Sequence, residues 1–377
     1  MSRPPDCLRL FLGGDVMLGR GIDQIQRHAC DPKLYEGYVG SAQDYVALAE
    51  RVSGKIPRHV GADYVWGDLL QDLEARQVDL RLINLETAIT SGGAHDPRKG
   101  IHYRMHPANV ALLAAARIDA VMLANNHTLD WGKAGLVETL AALDDAGIAR
   151  AGAGWDDAEA FAPRPLPLAG GGRVLMFSFA LGDSGVPASW AARPGQPGVA
   201  QAEPDEIAAR VATQLAGVRR PGDLVVLSIH WGENWGYPVA QTHRALAEAF
   251  VAQGVDLVFG HSSHHPRAAA VMAGRLVLFG AGDLINDYEG IGGKEGFRPD
   301  LVLGYVADLR RDSGALVALE MLPYRLCRFR LERADSAARG WLARQMNREA
   351  RLFGGRVVET PQATLRLEWD GAAAKET

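Results

Sequence analysis

The sequence predicts an α/β fold, and three observations support this prediction. Apolar runs of strand length alternate with segments of helical spacing over most of the 377 residues. Polar side chains capable of chemistry follow directly after many of these apolar runs. The hydrophobic fraction is 47% and the charged fraction 23%, which is typical of a globular protein with a large core. In such folds ligands bind at the carboxyl ends of the strands, so we expect the functional site there.

Charge and cysteine content exclude several classes of protein. The formal net charge is −5. The sequence contains no basic block of the kind that would indicate a nucleic-acid partner. The three cysteines, Cys7, Cys30 and Cys327, are too scattered for a disulfide framework or a zinc cluster. The chain enters a strand near Leu8 without a signal peptide, and no apolar run approaches the roughly 20 residues of a membrane span. We therefore expect a cytoplasmic protein with no membrane span; oligomeric state leaves no signature in the sequence.

The first strand is predicted at 8–12 and runs into Gly13-Gly14-Asp15, a glycine-rich loop with one carboxylate at its tip. Glycine permits close approach of the backbone to a ligand, so we interpret Asp15 as a metal ligand, with a turn residue as the alternative. Residues 22–60 are polar and form either a lid or an insertion. Helical spacing predicts a helix at 64–78, followed by a strand that ends in Asn-Leu-Glu86.

The segment 101–107 is rich in ring and cationic side chains. Arg104 can hold a carboxylate or phosphate group in a bidentate pair, and we assign Arg104 and His106 to substrate binding. The alternative is an ordinary surface strand with a structural ion pair.

The turn at 123–130 reads Leu-Ala-Asn-Asn-His-Thr-Leu-Asp, between a buried strand at 118–123 and a helix at 132–146. Asn126 offers a carbonyl oxygen to a cation, and His127 can transfer a proton near neutral pH. Asp130 can hold the His127 ring in one tautomer. A helix cap is the alternative, because Asn and Asp are favoured there. We assign His127 and Asp130 to catalysis and Asn126 to metal binding.

Strands and helices continue to alternate through the second half of the chain. Further strands are predicted at 174–180, 223–230, 255–261, 275–279, 301–309, 315–322 and 364–369. Further helices are predicted at 203–217, 242–254 and 336–353. We divide the chain into a main domain, 1–331, and a C-terminal helix-strand appendage, 332–377.

Six residues of metal-binding type stand at or just past the ends of apolar strands: Asp15, Glu86, Asn126, His230, His261 and His264. A single strand-end histidine is usually structural. Six such residues at corresponding positions indicate a mixed nitrogen and oxygen cation site where strand ends lie side by side.

The order of these motifs resembles the CapA-type proteins, a family named for poly-γ-glutamate capsule synthesis and related to the calcineurin-like metallophosphoesterases. The motifs are Gly-Asp15, Asn-Leu-Glu86, Ala-Asn-Asn-His127-x-x-Asp-x-Gly, His230-Trp-Gly and Gly-His261-x-x-His. The resemblance implies a four-layer α/β/β/α sandwich of the calcineurin-like metallophosphoesterase fold. It also implies that the six residues above bind metal and that His127 is catalytic.

Two positions depart from the phosphoesterase pattern. Met17 stands where those enzymes have a histidine, and Glu86 where they have a bridging aspartate. Both changes fall on the same metal position, which leaves the number of ions open. The implied cofactor is Mn²⁺, Fe²⁺ or Zn²⁺ for a dinuclear site, and Ca²⁺ or Mg²⁺ for a single hard site.

A metal in this site permits two kinds of chemistry. It can lower the pKa of a bound water to about 7 for hydrolysis, or polarise a carbonyl group while His127 and Asp130 transfer a proton. The family is also similar to enzymes that epimerise the C-terminal residue of lasso peptides. In that reaction His127 with Asp130 would serve one face of the Cα. His264 or His230, paired with Asp15 or Asp283, would serve the other face, and Arg20 or Arg104 would hold the substrate carboxylate.

The leading hypothesis is a metal-dependent enzyme that acts on a peptide or poly-γ-glutamate-type substrate through His/Asp acid–base chemistry. The alternatives are a peptide epimerase, a metal-dependent phosphoesterase and a non-catalytic scaffold.

Overall fold

Two β-sheets share one apolar core at the centre of this mixed α/β protein. The computed structural model describes residues 6–370, so the outer ends of the two predicted domains lie outside the described residues. Twenty strands and nine α-helices are present in the described part of the chain.

The strands have the following bounds: β1 Cys7–Val16, β2 Leu80–Leu85, β3 Ala88–Ile89, β4 Arg104–Met105, β5 Ala120–Met122, β6 Ala149–Ala151, β7 Ala153–Gly154, β8 Arg164–Pro167, β9 Arg173–Ala180, β10 Gly198–Val199, β11 Leu224–His230, β12 Leu257–His261, β13 Ala269–Met272, β14 Arg275–Leu278, β15 Asp283–Ile285, β16 Leu301–Arg310, β17 Leu316–Cys327, β18 Arg330–Arg333, β19 Gly355–Glu359 and β20 Leu365–Trp369. The helices are α1 Arg20–Gln24, α2 Ala42–Ser53, α3 Leu69–Arg76, α4 Ala111–Ala115, α5 Gly132–Asp145, α6 Asp157–Phe161, α7 Pro204–Val218, α8 Gln241–Ala252 and α9 Ser336–Arg351. No helix within residues 6–370 has the length and apolar character needed to cross a membrane.

The larger sheet has the strand order β19-β20-β17-β16-β1-β2-β5-β6, with β15 also on β1 and β18 on β17. Its β1, β2, β5 and β6 run parallel, whereas β16 and β17 are antiparallel to their neighbours. The second sheet has the order β13-β14-β12-β11-β9-β8. The carboxyl ends of β1, β2 and β5 therefore meet at one edge, and those of β11 and β12 meet at another.

Alternate residues of each strand point to opposite faces, and both faces are covered. Leu10 of β1 belongs to the core cluster between the sheets, together with Val226 of β11. Phe11 belongs to the cluster that includes α5 and α2, and Val225 to the one that includes α7 and α8. Each sheet is thus apolar on both sides, which explains why its strands read as continuous apolar runs.

The first strand is longer than the sequence predicts. The glycine-rich stretch after residue 12 was expected as a loop, but β1 continues through Asp15 to Val16. Two strands hold this end of β1: β2 pairs with it at Asn84 and Leu85, and β15 pairs in parallel with it and places Asp15 opposite Asp283. A Cβ on Gly14 would lie 1.8 Å from the Gly282 carbonyl oxygen, so this close pairing requires a glycine.

Two other segments have more structure than the sequence pattern indicates. Within 22–60, predicted as a lid or an insertion, α2 buries Tyr45, Val46 and Ala49 in the core. The predicted C-terminal appendage contributes α9 and the strands β19 and β20, and β20 pairs with β17 at Met321 and Leu365. The helix predicted at 64–78 is a 3₁₀ turn at Tyr64–Trp66 followed by α3.

Candidate metal centre and active-site cleft

Strand pairing brings four potential metal ligands together. Register places His230 of β11 beside His261 of β12, and Asp15 of β1 beside Asp283 of β15. Asp15 belongs to two groups of three whose ligand atoms all lie within 4.8 Å of one another. One group adds His230 and His261, and the other adds His264 and Asp283. A carboxylate shared by two ligand groups is the arrangement expected of a site for two ions.

The two strand-end histidines are held with their rings converging. Their Nδ1 atoms lie 2.7 Å apart, and His261 Nε2 lies 2.6 Å from Ser228 Oγ. Burial lowers the pKa of His261 to about 3; burial and the neighbouring ring lower the pKa of His230 well below its ordinary value. Both imidazoles are therefore neutral at physiological pH, which is the form that binds metal. Ser228 fixes the far side of the His261 ring, as the outer hydrogen-bond partner of a metal ligand does.

Asn84 links the carboxylates of Asp15 and Glu86. Its amide nitrogen donates to Asp15 Oδ1 at 2.7 Å and to Glu86 Oε2 at 3.0 Å. Burial and Asp283 raise the pKa of Asp15 to about 7, and burial and Asp15 raise the pKa of Glu86 well above its ordinary value. A nearby cation stabilises the charged form of buried carboxylates that lie this close together.

His264 and Asp283 form a hydrogen-bonded pair, with His264 Nδ1 2.9 Å from Asp283 Oδ1. Burial opposes protonation of His264, but Asp283 and Asp15 outweigh it and raise the pKa of the ring. His264 Nε2 lies 3.0 Å from Asn234 Nδ2 and 3.4 Å from the Tyr288 hydroxyl.

His127 and Asp130 form a second pair of the same kind, with His127 Nδ1 2.6 Å from Asp130 Oδ2. Asp130 also accepts the Tyr103 backbone N–H at 2.7 Å and forms an ion pair with Lys99. Burial lowers the pKa of His127 to about 4, whereas the pKa of Asp130 is lowered, despite its burial, by His127 and Lys99. His127 Nε2 lies 3.8 Å from Glu86 Oε1, so this ring adjoins the carboxylates.

His127 and His264 both line a cavity of about 470 Å³. Three cationic side chains line it as well, Arg20, Lys99 and Lys294, and no Asp or Glu of residues 6–370 is among its lining residues. Its aromatic lining residues are Tyr38, Tyr103, Trp235 and Tyr288. The cleft therefore suits an anionic substrate with some apolar surface.

Of the residues predicted to bind substrate, only Arg20 lines this cleft. Its guanidinium is buried, ion-paired with Asp287 at 2.5 Å and with Glu36 at 3.0 Å. It lies 4.4 Å from the centre of the Tyr103 ring. Arg20 is thus fixed in the cleft wall rather than free to clamp a carboxylate.

The structure does not bring Arg104 and His106 to the cleft. Arg104 donates to the carbonyl oxygen of residue 31 at 2.9 Å and stacks on Trp131 at 3.8 Å. His106 caps a 3₁₀ turn by accepting the Ala108 N–H at 3.1 Å. β4 pairs with the short strand β3, and the neighbouring Tyr103, rather than Arg104, lines the cleft.

Three residues of the site were not assigned from the sequence. Asp283 was predicted only as a possible partner of His264 or His230 in epimerisation, although a carboxylate after a strand and two glycines was a usable signal. Lys99 lies in an irregular loop, and Asn84 lies inside β2. No sequence pattern therefore marked either residue as part of the site. Asp283 supplies a carboxylate to the ligand group that it forms with Asp15 and His264.

The donor set fits a divalent metal. His230 Nε2 and Asn126 Oδ1 are buried, and neither has a hydrogen-bond partner in the part of the chain that the structure describes. A buried polar atom without a partner is costly, and metal coordination satisfies it. Imidazole nitrogens combined with carboxylate oxygens suit Mn²⁺, Fe²⁺ or Zn²⁺ better than an all-oxygen ion.

Comparison with known proteins identifies the family. A family model described as bacterial capsule synthesis protein PGA_cap matches residues 9–288. The chain belongs to this family. The region that matches PGA_cap contains every ligand candidate described above, from Asp15 to Asp283.

Relatives of this chain include a probable polyglutamine synthesis accessory protein of Mycobacterium tuberculosis (strain H37Rv), 46% identical over 97% of each chain. The capsule biosynthesis protein CapA of Bacillus anthracis is 26% identical, over 76% of this chain and 61% of that one. The PGA biosynthesis protein CapA of Bacillus subtilis (strain 168) is 23% identical, over 75% and 64%. A solved structure, TT1561 of Thermus thermophilus, covers 82% of this chain and 97% of that one with a TM-score of 0.39 and 8% identity, which is too distant to carry an argument.

Proposed function

We propose that this PGA_cap protein is a divalent-metal-dependent enzyme that hydrolyses or transfers an amide bond in an acidic peptide or poly-γ-glutamate-type chain. The observation on which this proposal rests is that Asp15 belongs to two ligand groups beside a cleft lined by His127 and three cations. We further propose that the paired sheets and outer helices are a four-layer sandwich of the calcineurin-like kind.

The ligands would divide between two positions that share Asp15. His230 and His261 would serve one, and His264 with Asp283 the other. Glu86 and Asn126 lie at the adjoining strand ends and would complete the set. A divalent ion held there supplies an activated water and polarises a carbonyl oxygen.

His127 is the proposed proton carrier of the cleft. Its Nδ1 faces Asp130, which leaves Nε2 on the side of Glu86 and the cavity. Because its pKa is lowered to about 4, the ring is neutral at physiological pH and can accept a proton. Asp130 and Lys99 hold the ring in place, since both contact its Nδ1 side.

The walls of the cleft account for the substrate class. Lys99, Lys294 and Arg20 line it, and the described residues contribute no lining carboxylate. Arg20 and Lys99 are ion-paired with Asp287 and Asp130 behind the wall, so Lys294 is the cation best placed to attract a carboxylate of the substrate. The names of the relatives, polyglutamine synthesis accessory protein and PGA biosynthesis protein, agree with an acidic polymer. The peptide or polyglutamate-type partner predicted from the sequence is therefore retained.

The test combines metal content with turnover. We expect about two equivalents of a transition metal in the purified protein by elemental mass spectrometry, and their loss in Asp15→Asn. With γ-linked glutamate oligomers as substrate, Asp130→Asn should lower kcat by about 10² to 10⁴ without loss of metal, because His127 is no longer oriented. Lys133→Gln, on an exposed helix start, is the matched control.

Two results would contradict this proposal. Unchanged turnover in His127→Ala would show that His127 is not the proton carrier of the reaction. Release of phosphate from an aryl phosphate, with no attack on any oligomer, would indicate a phosphoesterase.

A peptide epimerase is the second candidate, and one observation favours it. The two His–Asp pairs adjoin one cavity, and the pKa values of their rings are displaced in opposite directions, lowered for His127 and raised for His264. One ring is thus suited to accept a proton and the other to donate one, as inversion at a Cα requires. Deuterium uptake at a Cα in D₂O, with the chain left intact, would support this candidate over hydrolysis.

A further inference from the structure

The loop at 290–297 contributes to the wall of the catalytic cleft and is fixed at both ends. Gly290 has a φ of +84°, and a Cβ there would lie 2.6 Å from the Leu48 carbonyl oxygen, so this end is packed against α2. At the other end, the centre of the Phe297 ring lies 4.7 Å from that of His265. Between the two ends, residues 292–296 are exposed, and a Cβ on Gly293 would meet no atom of residues 6–370 within 4 Å. The tip of the loop can therefore adjust while its ends stay in place.

The two charged side chains of this loop are directed to different cavities. Lys294 lines the catalytic cleft, whereas Glu295 lines a separate cavity of about 620 Å³ that shares the loop as a wall. Glu295 Oε1 accepts the Gly293 backbone N–H at 2.8 Å, which ties this carboxylate to the loop itself. Arg20 and Lys99 are ion-paired, but Lys294 has no carboxylate of residues 6–370 within 4 Å. Lys294 can therefore take a substrate carboxylate without breaking an existing ion pair.

One aromatic ring separates Lys294 from the candidate metal ligands. Lys294 Nζ lies 5.1 Å from the centre of the Trp235 ring, and this ring lies 5.4 Å from that of His264. All three side chains line the same cleft. A cation–π contact at an exposed site is weak, so a carboxylate can draw the ammonium group away from the ring. A substrate bound beside His264 thus has a free cation within the width of one ring.

We propose that Lys294 is a specificity-determining residue of the cleft, which binds a carboxylate of the substrate close to the reacting bond. By this contact it selects a carboxylate-bearing chain over the same chain with carboxamides. The inference rests on the proposed function for the reaction, and it deepens that function by assigning substrate selection to one residue. The adjustable tip of the 290–297 loop lets Lys294 leave Trp235 and meet the carboxylate.

Two ligands that differ in charge test this assignment. Full-length protein carrying His127→Ala, so that no oligomer is consumed, is titrated with a γ-linked glutamate tetramer and with the same tetramer whose free carboxylates are converted to carboxamides. We expect Lys294→Gln to weaken binding of the glutamate tetramer about tenfold, the loss of one charge-assisted hydrogen bond. Binding of the carboxamide tetramer should be unchanged.

Two further substitutions separate the effect of charge from that of shape. Lys294→Arg keeps a cation and should retain the binding of the glutamate tetramer, whereas Lys294→Glu should weaken it more than Lys294→Gln does. Because Lys294 is exposed on a loop, these variants should keep the fold, which circular dichroism checks. Lys133→Gln, at an exposed position near the start of α5, is the matched control.

The outcomes separate this inference from the proposed function. An equal loss of affinity for the two tetramers in Lys294→Gln, no loss for either, or an equal loss in Lys133→Gln would overturn the assignment, as would absence of measurable binding of the glutamate tetramer. A loss confined to the glutamate tetramer supports it even if the wild-type protein turns over no oligomer, in which case only the proposed function fails. Turnover by the wild-type protein, with glutamate binding unchanged in Lys294→Gln, would leave the proposed function and reject the assignment.

Discussion

At the scale of single residues, Asp130 shows how a buried carboxylate is kept charged. It is fully buried, yet it contacts His127, Lys99 and the Tyr103 backbone N–H. An ionised carboxylate in the interior is stable only with such partners. Asp15, by contrast, has amide donors and, within residues 6–370, no Lys or Arg partner at comparable distance, and its pKa is raised to about 7. The difference identifies Asp15, rather than Asp130, as the carboxylate that gains most from a bound cation.

His265 gives a pH prediction at the same scale. The ring is buried, its Nε2 accepts the Gly236 N–H at 3.1 Å, and burial lowers its pKa to about 4. Below the ordinary pKa of about 6.5 the unfolded chain binds a proton that the folded ring refuses. The stability from this residue is therefore fully present above pH 6.5 and is lost as the pH falls to 4, by about 3 kcal/mol.

Urea unfolding of the chelator-treated protein between about pH 7.5 and 4.5 measures this dependence. His265→Gln should reduce the slope of unfolding free energy against pH by about one proton in that range. The exposed His28, replaced in the same way, provides the matched control. Equal slopes in the parent and in His265→Gln would show that His265 does not titrate as proposed.

At the scale of elements, the site depends on how β15 meets β1. The pairing sets Asp15 opposite Asp283 and Val16 opposite Ile285, with an irregular register between them. The glycine-rich end of β1 is thus paired with β15 as well as with β2. The short strand β15 also brings Asp283 beside Asp15 in the candidate ligand set.

Replacing Gly14 should separate these two strands. An alanine Cβ at this position meets the Gly282 backbone oxygen at 1.8 Å, and a backbone atom moves only with its strand. We expect Gly14→Ala to lower the unfolding free energy by about 3 kcal/mol and to reduce metal content. At Gly13 the nearest atom is Leu284 Cδ2 at 2.6 Å, the end of a flexible side chain, so Gly13→Ala should cost about 1 kcal/mol.

Chemical denaturation and elemental analysis of both variants provide the comparison. If Gly14→Ala keeps the stability and the full metal content of the parent protein, the close contact between β1 and β15 is not what positions Asp283.

The sequence predicted the strands at whose ends His230 and His261 lie, because both strands are long apolar runs. His230 and His261 end strands of continuous apolar character, and their register follows from parallel pairing. Asp283 was not assigned as a ligand because its pairing with Asp15 joins distant parts of the chain. Arg104 shows the opposite case. Its local sequence suggested a substrate-binding residue, but in the two-residue strand β4 its side chain stacks on Trp131.

At the scale of the whole molecule, the C-terminal segment belongs to the same core as the strands that carry the site. Leu342 and Met346 of α9, with Leu365 and Leu367 of β20, are buried in the cluster shared by the two sheets. The sequence showed the helix and the last strand of this segment. It did not show their attachment to the sheet, because only the antiparallel pairing of β20 with β17 establishes it.

A shortened chain tests whether residues 332–377 are an appendage. Each buried Leu or Met side chain contributes about 1.5–3 kcal/mol, so loss of four approaches the whole net stability of about 5–15 kcal/mol. We expect a chain ending at Ala334 to be unfolded or aggregated, by circular dichroism and size-exclusion chromatography. A chain ending at Asp370 is the control, and a folded, metal-binding product ending at Ala334 would support the predicted domain division.

The pairing of Asp15 with Asp283 has a consequence for how the protein is made. A ribosome that adds about 5–20 residues per second exposes Asp15 early and Asp283 only after tens of seconds. His230, His261 and His264 also emerge late, so the nascent chain carries Asp15 and Glu86 for most of its synthesis without the imidazoles that complete the set. Under the proposed metal dependence, the ion would therefore be captured late in synthesis, once the strand ends that carry the histidines and Asp283 have formed.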